Sequence, residues 1–412
     1  MKTTPVKGTN DYLPKQAELR DYMQSKILEI YTNQGFTRIY TPILEDIENL
    51  EKSDGGDNLN LIYKILKRGE KFNSCIENKQ FDNLADLGLR YDLTLPLTRF
   101  YSNNKANLPA VFKCIQIDKV YRAERPQKGR DREFVQCDID ILGSSNPNCE
   151  VELIDTTACA LLNLGLKNFK IRINDRRILR NLLLSFGFEK EQLDSVCISF
   201  DKMDKIGAEG IKQELIEKQF NKASIDKLCS FVSFLPVDLD ALTTLCGEMS
   251  EIEQLKYIIS SVKEIAEDKY DIEFDISLVR GQGYYTGAVF EIESKDFSCS
   301  IGGGGRYDNL VGKFTGSPVP AVGFSIGFER IFSILRDKEN VIENKKQKLA
   351  VFYKDNFVEA LKFGKSKNDK FNITLLEMPN KFGKALNRLA EQGFTNYCIF
   401  DDNCEIKELK QF

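Results

Sequence analysis

The chain has 412 residues, 42% of them hydrophobic, a net charge of −4 and no histidine. That length accommodates two or three domains. No apolar run approaches the ~18–20 residues of a membrane span, and the slight acidity neither favours nor forbids nucleic acid, where local patches decide. Without an imidazole there is no Ser-His-Asp or Cys-His triad, no H-E-x-x-H zinc site and no imidazole general base, so catalysis rests on arginine, lysine, carboxylates, tyrosine, backbone groups or metal ions. Eleven scattered cysteines with no C-x-x-C pair argue against a disulfide framework or a zinc site and for a reducing cytoplasm. The segment MKTTPVKGTNDYLP has no apolar stretch of the kind a secretory signal needs.

Residues 18–34 carry Leu19, Met23, Ile27, Ile30 and Tyr31 at three- and four-residue spacing, which predicts an amphipathic helix stopped at Gly35. FTRIYTPILE (36–45) alternates like a strand, and its Pro42 predicts an edge or an interface. In RYDLT, Asp92 and Thr94 lie two apart and share a face if the segment is a strand. A carboxylate beside a hydroxyl suits an ammonium group, although a D-x-T turn taken alone is usually a structural cap. Residues 121–140, YRAERPQKGRDREFVQCDID, read strand, polar loop, strand. Arg122 and Glu124 open the unit, Lys128, Arg130 and Arg132 crowd the loop around Gly129, and the second strand alternates Phe134, Gln136, Asp138 and Asp140. Cations on the loop and acids on the strand suit a polyanion whose other end is polar and cationic, such as ATP next to an amino acid.

FKIRIND near residue 170 reads as a strand and is followed by a helical, charged region over 176–265, with Leu179, Leu182, Leu183 and Leu184 packing one helix. Arg176, Arg177 and Arg180 there are candidates for phosphate contacts, with solvated helix charges as the blander reading. Taken alone, Tyr284–Tyr285 is a core pair. Gly302–Gly305 is not a Walker loop, because it lacks the G-K-[ST] ending. Gly323 and Gly327 flank a strand-to-helix junction where a backbone approaches a ligand closely, and Arg330 follows, with an ion pair to Glu329 as its structural alternative. Residues 336–347 are polar and read as a linker, and 348–412 read βαβαβ, a small parallel sheet.

The 121–140 stretch resembles motif 2 of the class II aminoacyl-tRNA synthetases, and its ERPQKGR loop and QCDID strand are similar to those of the histidyl-tRNA synthetases. PVKGTNDYLP (5–14), GLRYDLTLPLTRF (88–100), LVRGQGYYTGAVFE (278–291), GGGRYDNLV (303–311) and AVGFSIGFER (321–330) stand in that family's order. Together they are far more specific than any one of them. The resemblance implies an α+β fold: a class II antiparallel sheet of six or more strands flanked by helices. It assigns 1–175 and 266–335 to the catalytic core, 176–265 to a helical insertion that touches the tRNA acceptor arm, 336–347 to a linker, and 348–412 to a shortened anticodon-binding-like α/β domain. It makes the 18–45 helix and strand the dimer-building motif 1.

For the site, the resemblance implies that Gln136 holds the amino-acid end of histidine, with Asp92 and Thr94 beside its ammonium. Asp140 takes one imidazole nitrogen and Tyr285 the other, with Tyr284 and Tyr307 lining the pocket. Arg122 and Arg280 stand astride the α-phosphate of ATP, Glu124 receives the adenine amino group, Arg130 touches the outer phosphates and Arg330 meets the γ-phosphate. Gln127, with Lys128 beside it, is the candidate reader of the extra 5′ guanosine of tRNA(His). Mg²⁺ rides on ATP rather than on a protein cluster. Two departures stand out: Gln282–Gly283 replaces Leu-Asp, and Gly287 replaces a common arginine. The implied activity is a histidine–tRNA ligase forming histidyl-adenylate and then charging tRNA, a chemistry of positioning and charge neutralisation. The expected partners are histidine, tRNA(His) and a second copy of the chain, with neither membrane nor DNA. The alternative is the family's non-catalytic, histidine-sensing regulatory subunit of ATP phosphoribosyltransferase. One hypothesis for the missing histidine is that such a chain can still be synthesised when charged histidine is scarce; compositional drift and deliberate recoding are the alternatives. Adding surface histidines and measuring protein levels in starvation tests that hypothesis.

Overall fold

The computed structural model describes residues 1–51, 56–127, 129–279, 283–338, 341–342, 346–401 and 404–409. They form two compact units, Met1–Val341 and Ile342–Phe412. The first unit begins with α1 (Pro14–Asn33), β1 (Thr37–Arg38), β2 (Leu44–Asp46), α2 (Ile47–Glu51), β3 (Lys64–Leu66), α3 (Glu70–Glu77), β4 (Ala85–Leu89) and α4 (Thr94–Asn104). It continues with β5 (Phe112–Tyr121), β6 (Glu133–Leu142), α5 (Asn148–Asn163) and β7 (Phe169–Asp175). A helical block follows: α6 (Arg176–Ser185), α7 (Leu193–Phe200), α8 (Met203–Glu217), α9 (Lys222–Val232), α10 (Leu239–Cys246) and α11 (Ser250–Ala266). The sheet resumes with β8 (Asp271–Phe274), β9 (Ala288–Ser294), β10 (Gly302–Arg306), α12 (Asp308–Thr315), β11 (Ala321–Gly327) and α13 (Phe328–Leu335).

Eight strands form the central sheet in the order β1-β5-β6-β11-β10-β9-β7-β8. Its middle is antiparallel, and only the edge pairs β1–β5 and β7–β8 are parallel. The parallel β7–β8 pair explains how the helical block is tolerated: the chain leaves the sheet after β7 and returns alongside it. Period-two alternation on β6 sends Cys137, Ile139 and Ile141 into the core, each with no exposed surface, and leaves Gln136, Asp138 and Asp140 on the opposite face. α1 starts at Pro14, earlier than the apolar spacing indicates, because proline at the first helical position lacks only an N–H that would be an orphan there. Leu19, Met23, Ile27 and Tyr31 are its buried stripe. Gly35, at φ +83°, ends it.

The single strand expected over 36–45 is two. β1 joins the central sheet, while β2 joins a separate three-stranded sheet, β2-β4-β3. The break falls at Thr41 and Pro42. There the fully buried Arg90 guanidinium donates to the carbonyls of Thr41 (2.8 Å) and Pro42 (3.4 Å) while Nε reaches that of Lys119 (2.9 Å). The chain turns around an arginine, so both residues give up their ladder bonds.

The second unit holds β12 (Gln347–Tyr353), α14 (Phe357–Lys365), β13 (Phe371–Glu377), α15 (Phe382–Glu391), β14 (Asn396–Ile399) and β15 (Ile406–Glu408), in the sheet order β13-β12-β14-β15. The first three are parallel. β15 adds an antiparallel edge that three residues are too few to announce in sequence. β12 is buried on both faces, with Leu349 and Val351 in one cluster and Ala350 and Phe352 in another. No helix among the described residues is long and apolar enough to cross a membrane.

Candidate active site

A cleft of about 730 Å³ lies over β6, β11, β10 and the connections around them. Three of its surfaces are built by different sequence devices. The floor is β10, the glycine run. A Cβ on Gly304 would sit 2.0 Å from the Gly323 carbonyl oxygen, and one on Gly305 would sit 2.6 Å from that of Ala288 and 2.9 Å from the Tyr285 ring. Side chains there are excluded by backbone that cannot give way, so the run is a thin floor and not a flexible turn.

One wall is acidic. Asp138 and Asp140 come from β6 and Asp92 from the connection before α4, all three nearly inaccessible to solvent. The segment around Asp92 is not a strand. Asp92 Oδ1 accepts from the Leu95 backbone N–H (3.1 Å) while Thr94 starts α4, so Asp92 holds a helix start and lines the cleft at once. Asp140 Oδ1 accepts from the Tyr307 hydroxyl at 2.6 Å. Tyr284 packs against Tyr285 (centroids 4.8 Å) and edge-on to Tyr307 (6.1 Å). Gln136 donates its amide to Ser325 Oγ (3.3 Å) and, more loosely, to Asp138 (3.4 Å). Its shielded amide oxygen has no hydrogen-bond partner among the described residues. Burial raises the carboxyl of Asp92 to about 6, against the lowering pull of the Leu95 N–H and Arg122. Burial raises Asp140 to about 7 despite the Tyr307 hydroxyl, and Asp92 adds to the rise. Asp138 is pushed well above the carboxylate range, by burial first and then by Asp140.

The other end is cationic. Arg122 is fixed by Nε donating to the Tyr91 carbonyl (2.9 Å) and by its plane over Phe134 (5.1 Å). Glu124 lies 3.5 Å from Arg130 and 4.0 Å from Arg122. Gln127 and Arg130 bond each other's backbones across the loop tip (2.9 and 3.2 Å), where Gly129 adopts φ +76° and a Cβ would meet the Phe297 ring at 3.1 Å. Arg330 donates to the carbonyls of Ser300 and, from Nε, of Gly129 (3.5 Å). The ion pair to Glu329 that the sequence offered as its alternative is not made. Glu329 instead takes Arg20 of α1 in a two-pronged bond (2.5 and 2.8 Å) and accepts from Val135 N–H (3.2 Å). Val135 needs that acceptor because its neighbour strand β11 ends opposite Gln136 and turns into α13.

The structure therefore brings Asp92, Thr94, Arg122, Glu124, Gln127, Arg130, Gln136, Asp140, Tyr284, Tyr285, Tyr307 and Arg330 to one cleft. Lys128, Arg280 and the departure at Gln282 lie outside the described residues. Arg177 is paired with Asp175 (2.7 Å) and Glu251 (3.5 Å), and Arg180 with Asp194, so neither is a free cation waiting for phosphate. The sequence reading named Asp138 without giving it a site role and passed over Ser325, Glu291 and Ser300; all four also line the cleft. Asp138 carried a signal, since it alternates with Gln136 and Asp140. Ser325 and Glu291 are set by register: Ser325 lies opposite Asp138 and Gly303, and Glu291 opposite Gly303.

Gly323 explains why the acidic wall fits. A Cβ there would lie 1.9 Å from Asp140 Oδ1. Gly323→Ala is expected to displace that carboxyl and weaken binding of whatever it receives by about 10–100-fold, the ordinary 1–3 kcal/mol of overpacking. Titration calorimetry with the ligand of the acidic wall measures it, and unchanged affinity would remove Asp140 from the binding set.

Three comparisons bear on this site. The family model described as Histidyl-tRNA synthetase matches residues 8–331. A histidine–tRNA ligase of Leifsonia xyli subsp. xyli is 43% identical over 82% of this chain and 81% of its own. Another, of Christiangramia forsetii, is 32% identical over 99% of this chain and 94% of its own. The crystal structure of histidyl-tRNA synthetase from Nostoc sp. PCC 7120 superposes with a TM-score of 0.81 at 25% identity, covering 99% of this chain and 95% of that one.

Proposed function

The chain belongs to the histidyl-tRNA synthetase family, and from that premise we propose that its cleft activates histidine with ATP and transfers it to the 3′ terminal adenosine of tRNA(His). The observation that carries this reading is the polarity of the cleft. Buried Asp92, Asp138 and Asp140 line one wall of the cleft, beside a Gln136 amide oxygen that has no partner among the described residues. Arg122, Arg130 and Arg330 stand around the loop at its other end. A cationic amino acid and a polyphosphate fit that gradient in one orientation.

In the first step a carboxylate oxygen of histidine attacks the α-phosphorus and the bond to pyrophosphate breaks. Arg122, already braced by Tyr91 and Phe134, offsets the charge that builds on the α-phosphate, with Arg280 proposed as its partner across the phosphate. Arg330 and Arg130 receive the outer phosphates. Their present partners are backbone carbonyls and Glu124, which they exchange for phosphate as Glu124 turns to the adenine amino group. Asp92, Thr94 and Gln136 hold the ammonium, and Asp140 and Tyr285 the imidazole, inside the wall of Tyr284 and Tyr307. In the second step the adenosine hydroxyl attacks the acyl carbon, AMP leaves, and an adenylate phosphate oxygen takes the proton. Among the described residues no group of three acids or cysteines is placed to hold a metal, and Mg²⁺ is proposed to arrive on ATP.

The same reading assigns 1–175 with 266–335 to catalysis, 176–265 to a helical insertion near the acceptor arm, 336–347 to a linker and 348–412 to a shortened anticodon-binding-like α/β domain, with Gln127 and Lys128 at the 5′ end of the tRNA in the cytoplasm. A homodimer is supported by the outer face of the β2-β4-β3 sheet, where Leu44, Leu66 and Leu87 stay exposed. Leu87→Glu is expected to convert a dimer to a monomer in sedimentation, and an unchanged mass would move the interface elsewhere.

Histidine-dependent ATP–pyrophosphate exchange tests the activity, with Arg280→Ala as control. Exchange lost in the control supports adenylation. Histidine binding without exchange favours the regulatory subunit of ATP phosphoribosyltransferase, the less supported reading, since a sensor has no use for the phosphate-facing arginines.

A further inference from the structure

Arg20 is a buried arginine on α1, and both its terminal nitrogens donate to the carboxylate of Glu329, at 2.5 Å to Oε2 and 2.8 Å to Oε1. The same carboxylate accepts from the Val135 backbone N–H at Oε1 (3.2 Å) and from the Tyr12 hydroxyl at Oε2 (3.4 Å). The guanidinium lies over the rings of Tyr12, Phe328 and Phe332, with centroids at 4.0, 4.8 and 5.2 Å. Arg20 itself does not line the cleft, whereas Val135, Phe328, Glu329 and Arg330 do.

Stability alone is a weak reason for such a pair, since apolar residues of similar volume often do as well as a buried ion pair. What the two-pronged bond adds is direction. α13 is only eight residues long, starts after Gly327 and has no side-chain cap at its first turn, so its rotation about its own axis is set by tertiary contacts. Phe328, Glu329 and Arg330 leave that turn about 100° apart. Phe328 is fully buried, and Glu329 is held by α1 on one side and by β6 at Val135 on the other. Fixing these two directions fixes the third. Arg330 is sent to the carbonyls of Ser300 and Gly129, on the cleft side.

Resting on the reading that Arg330 meets the outer phosphates of ATP, we propose that Arg20 is a positioning residue: through Glu329 it sets the direction in which Arg330 enters the cleft. It touches neither substrate, and its effect falls on ATP and not on histidine. A misplacement of about 1 Å at such a group can cost ~10²-fold.

Two variants of the full-length protein test this. Arg20→Lys keeps the charge without the planar fork. Arg20→Met combined with Glu329→Gln removes both charges while the amide oxygen can still accept from Val135. ATP–pyrophosphate exchange gives a KM for each substrate, and titration calorimetry with ATP alone gives its affinity directly. The KM for ATP is expected to rise about tenfold in the double variant and about threefold in Arg20→Lys, with the KM for histidine within about twofold of wild type in both. In an Arg330→Ala background the same changes should add nothing to the ATP defect, because the group they position is gone. An unchanged KM for ATP in a variant that melts cooperatively, an equal rise for both substrates, or a full additional loss in the Arg330→Ala background overturns the role and leaves a structural ion pair. If the double variant does not fold, Arg20→Lys decides by the same split. Wild type that binds ATP without exchange overturns the proposed activity, and the calorimetric affinities for ATP then decide the role of Arg20. Wild type that binds no ATP overturns the ATP reading and this inference with it.

Discussion

Arg122→Ala is expected to lower histidine-dependent ATP–pyrophosphate exchange by about 10²–10³-fold, the usual cost of one charge-stabilising donor in a transition state, with little change in histidine affinity. Preorganisation is the physical reason. The guanidinium spends Nε on the Tyr91 carbonyl (2.9 Å), lies over Phe134 and has Glu124 4.0 Å from one terminal nitrogen, so its plane is fixed where Arg122 lines the cleft. Arg122→Lys should fail nearly as badly. One ammonium cannot both bond Tyr91 and present a flat fork to a phosphate. The discriminating measurement is the split between kcat and the KM values. A fall in kcat with both KM values unchanged places Arg122 at the reacting phosphate. A rise in the KM for ATP alone would reduce it to a binding cation.

Asp140→Asn is expected to abolish useful histidine activation and to make the ligand-free protein more stable. The first effect follows from specificity. The amide still accepts from Tyr307, but it loses the charge proposed to hold the ring, and a buried polar site with the wrong partner typically costs several powers of ten in kcat/KM. The second follows from linkage. The Asp140 carboxyl is raised to about 7 and that of Asp92 to about 6 in the folded protein, chiefly by burial, while unfolded aspartate ionises near ~3.9. Between these values the unfolded chain has already released protons that the folded chain still holds. Stability therefore falls as pH rises across roughly 4 to 7 and the full penalty applies above that window. Each unit of displacement corresponds to ~1.4 kcal/mol. Thermal melts of the wild type should show a higher Tm at about pH 5 than at about pH 8, and Asp140→Asn should flatten that difference and gain a few degrees at the higher pH. A variant that melts lower than wild type at about pH 8 would refute the strain argument.

Much of this site was legible before any tertiary contact was known, for reasons that can be named. The face shared by Gln136 and Asp140 follows from the period of two along β6, and the turn at Gly129 from its position amid a polar, cationic loop. The glycine run at 302–305 was read only as not being a Walker loop, and what bars side chains there, the Gly323 carbonyl oxygen 2.0 Å from a Cβ on Gly304, is a tertiary contact. The misreadings have causes of the same kind. FTRIYTPILE has the alternation of one strand, but the buried Arg90, 48 residues beyond Pro42, captures the carbonyls at its middle. Asp92 and Thr94 were taken as strand neighbours because two-residue spacing is local, whereas the start of α4 is set by the Leu95 N–H that Asp92 receives.

What the sequence by itself determined is the periodic and the local: which faces are apolar, where glycine is required, which segment concentrates cations and which acids, and the order of motifs that marks the family. What only the tertiary structure decided is which distant groups become neighbours. Tyr307 reaches Asp140 across 167 residues, and Arg20 reaches Glu329 across 309. Gly323 lies beneath Asp140, and Ser325 beside Asp138, only because β11 pairs with β6 in one register. A slip of one residue would exchange every side chain between the core and the cleft. That choice is made by burial of the whole sheet, a cooperative quantity that no single segment carries.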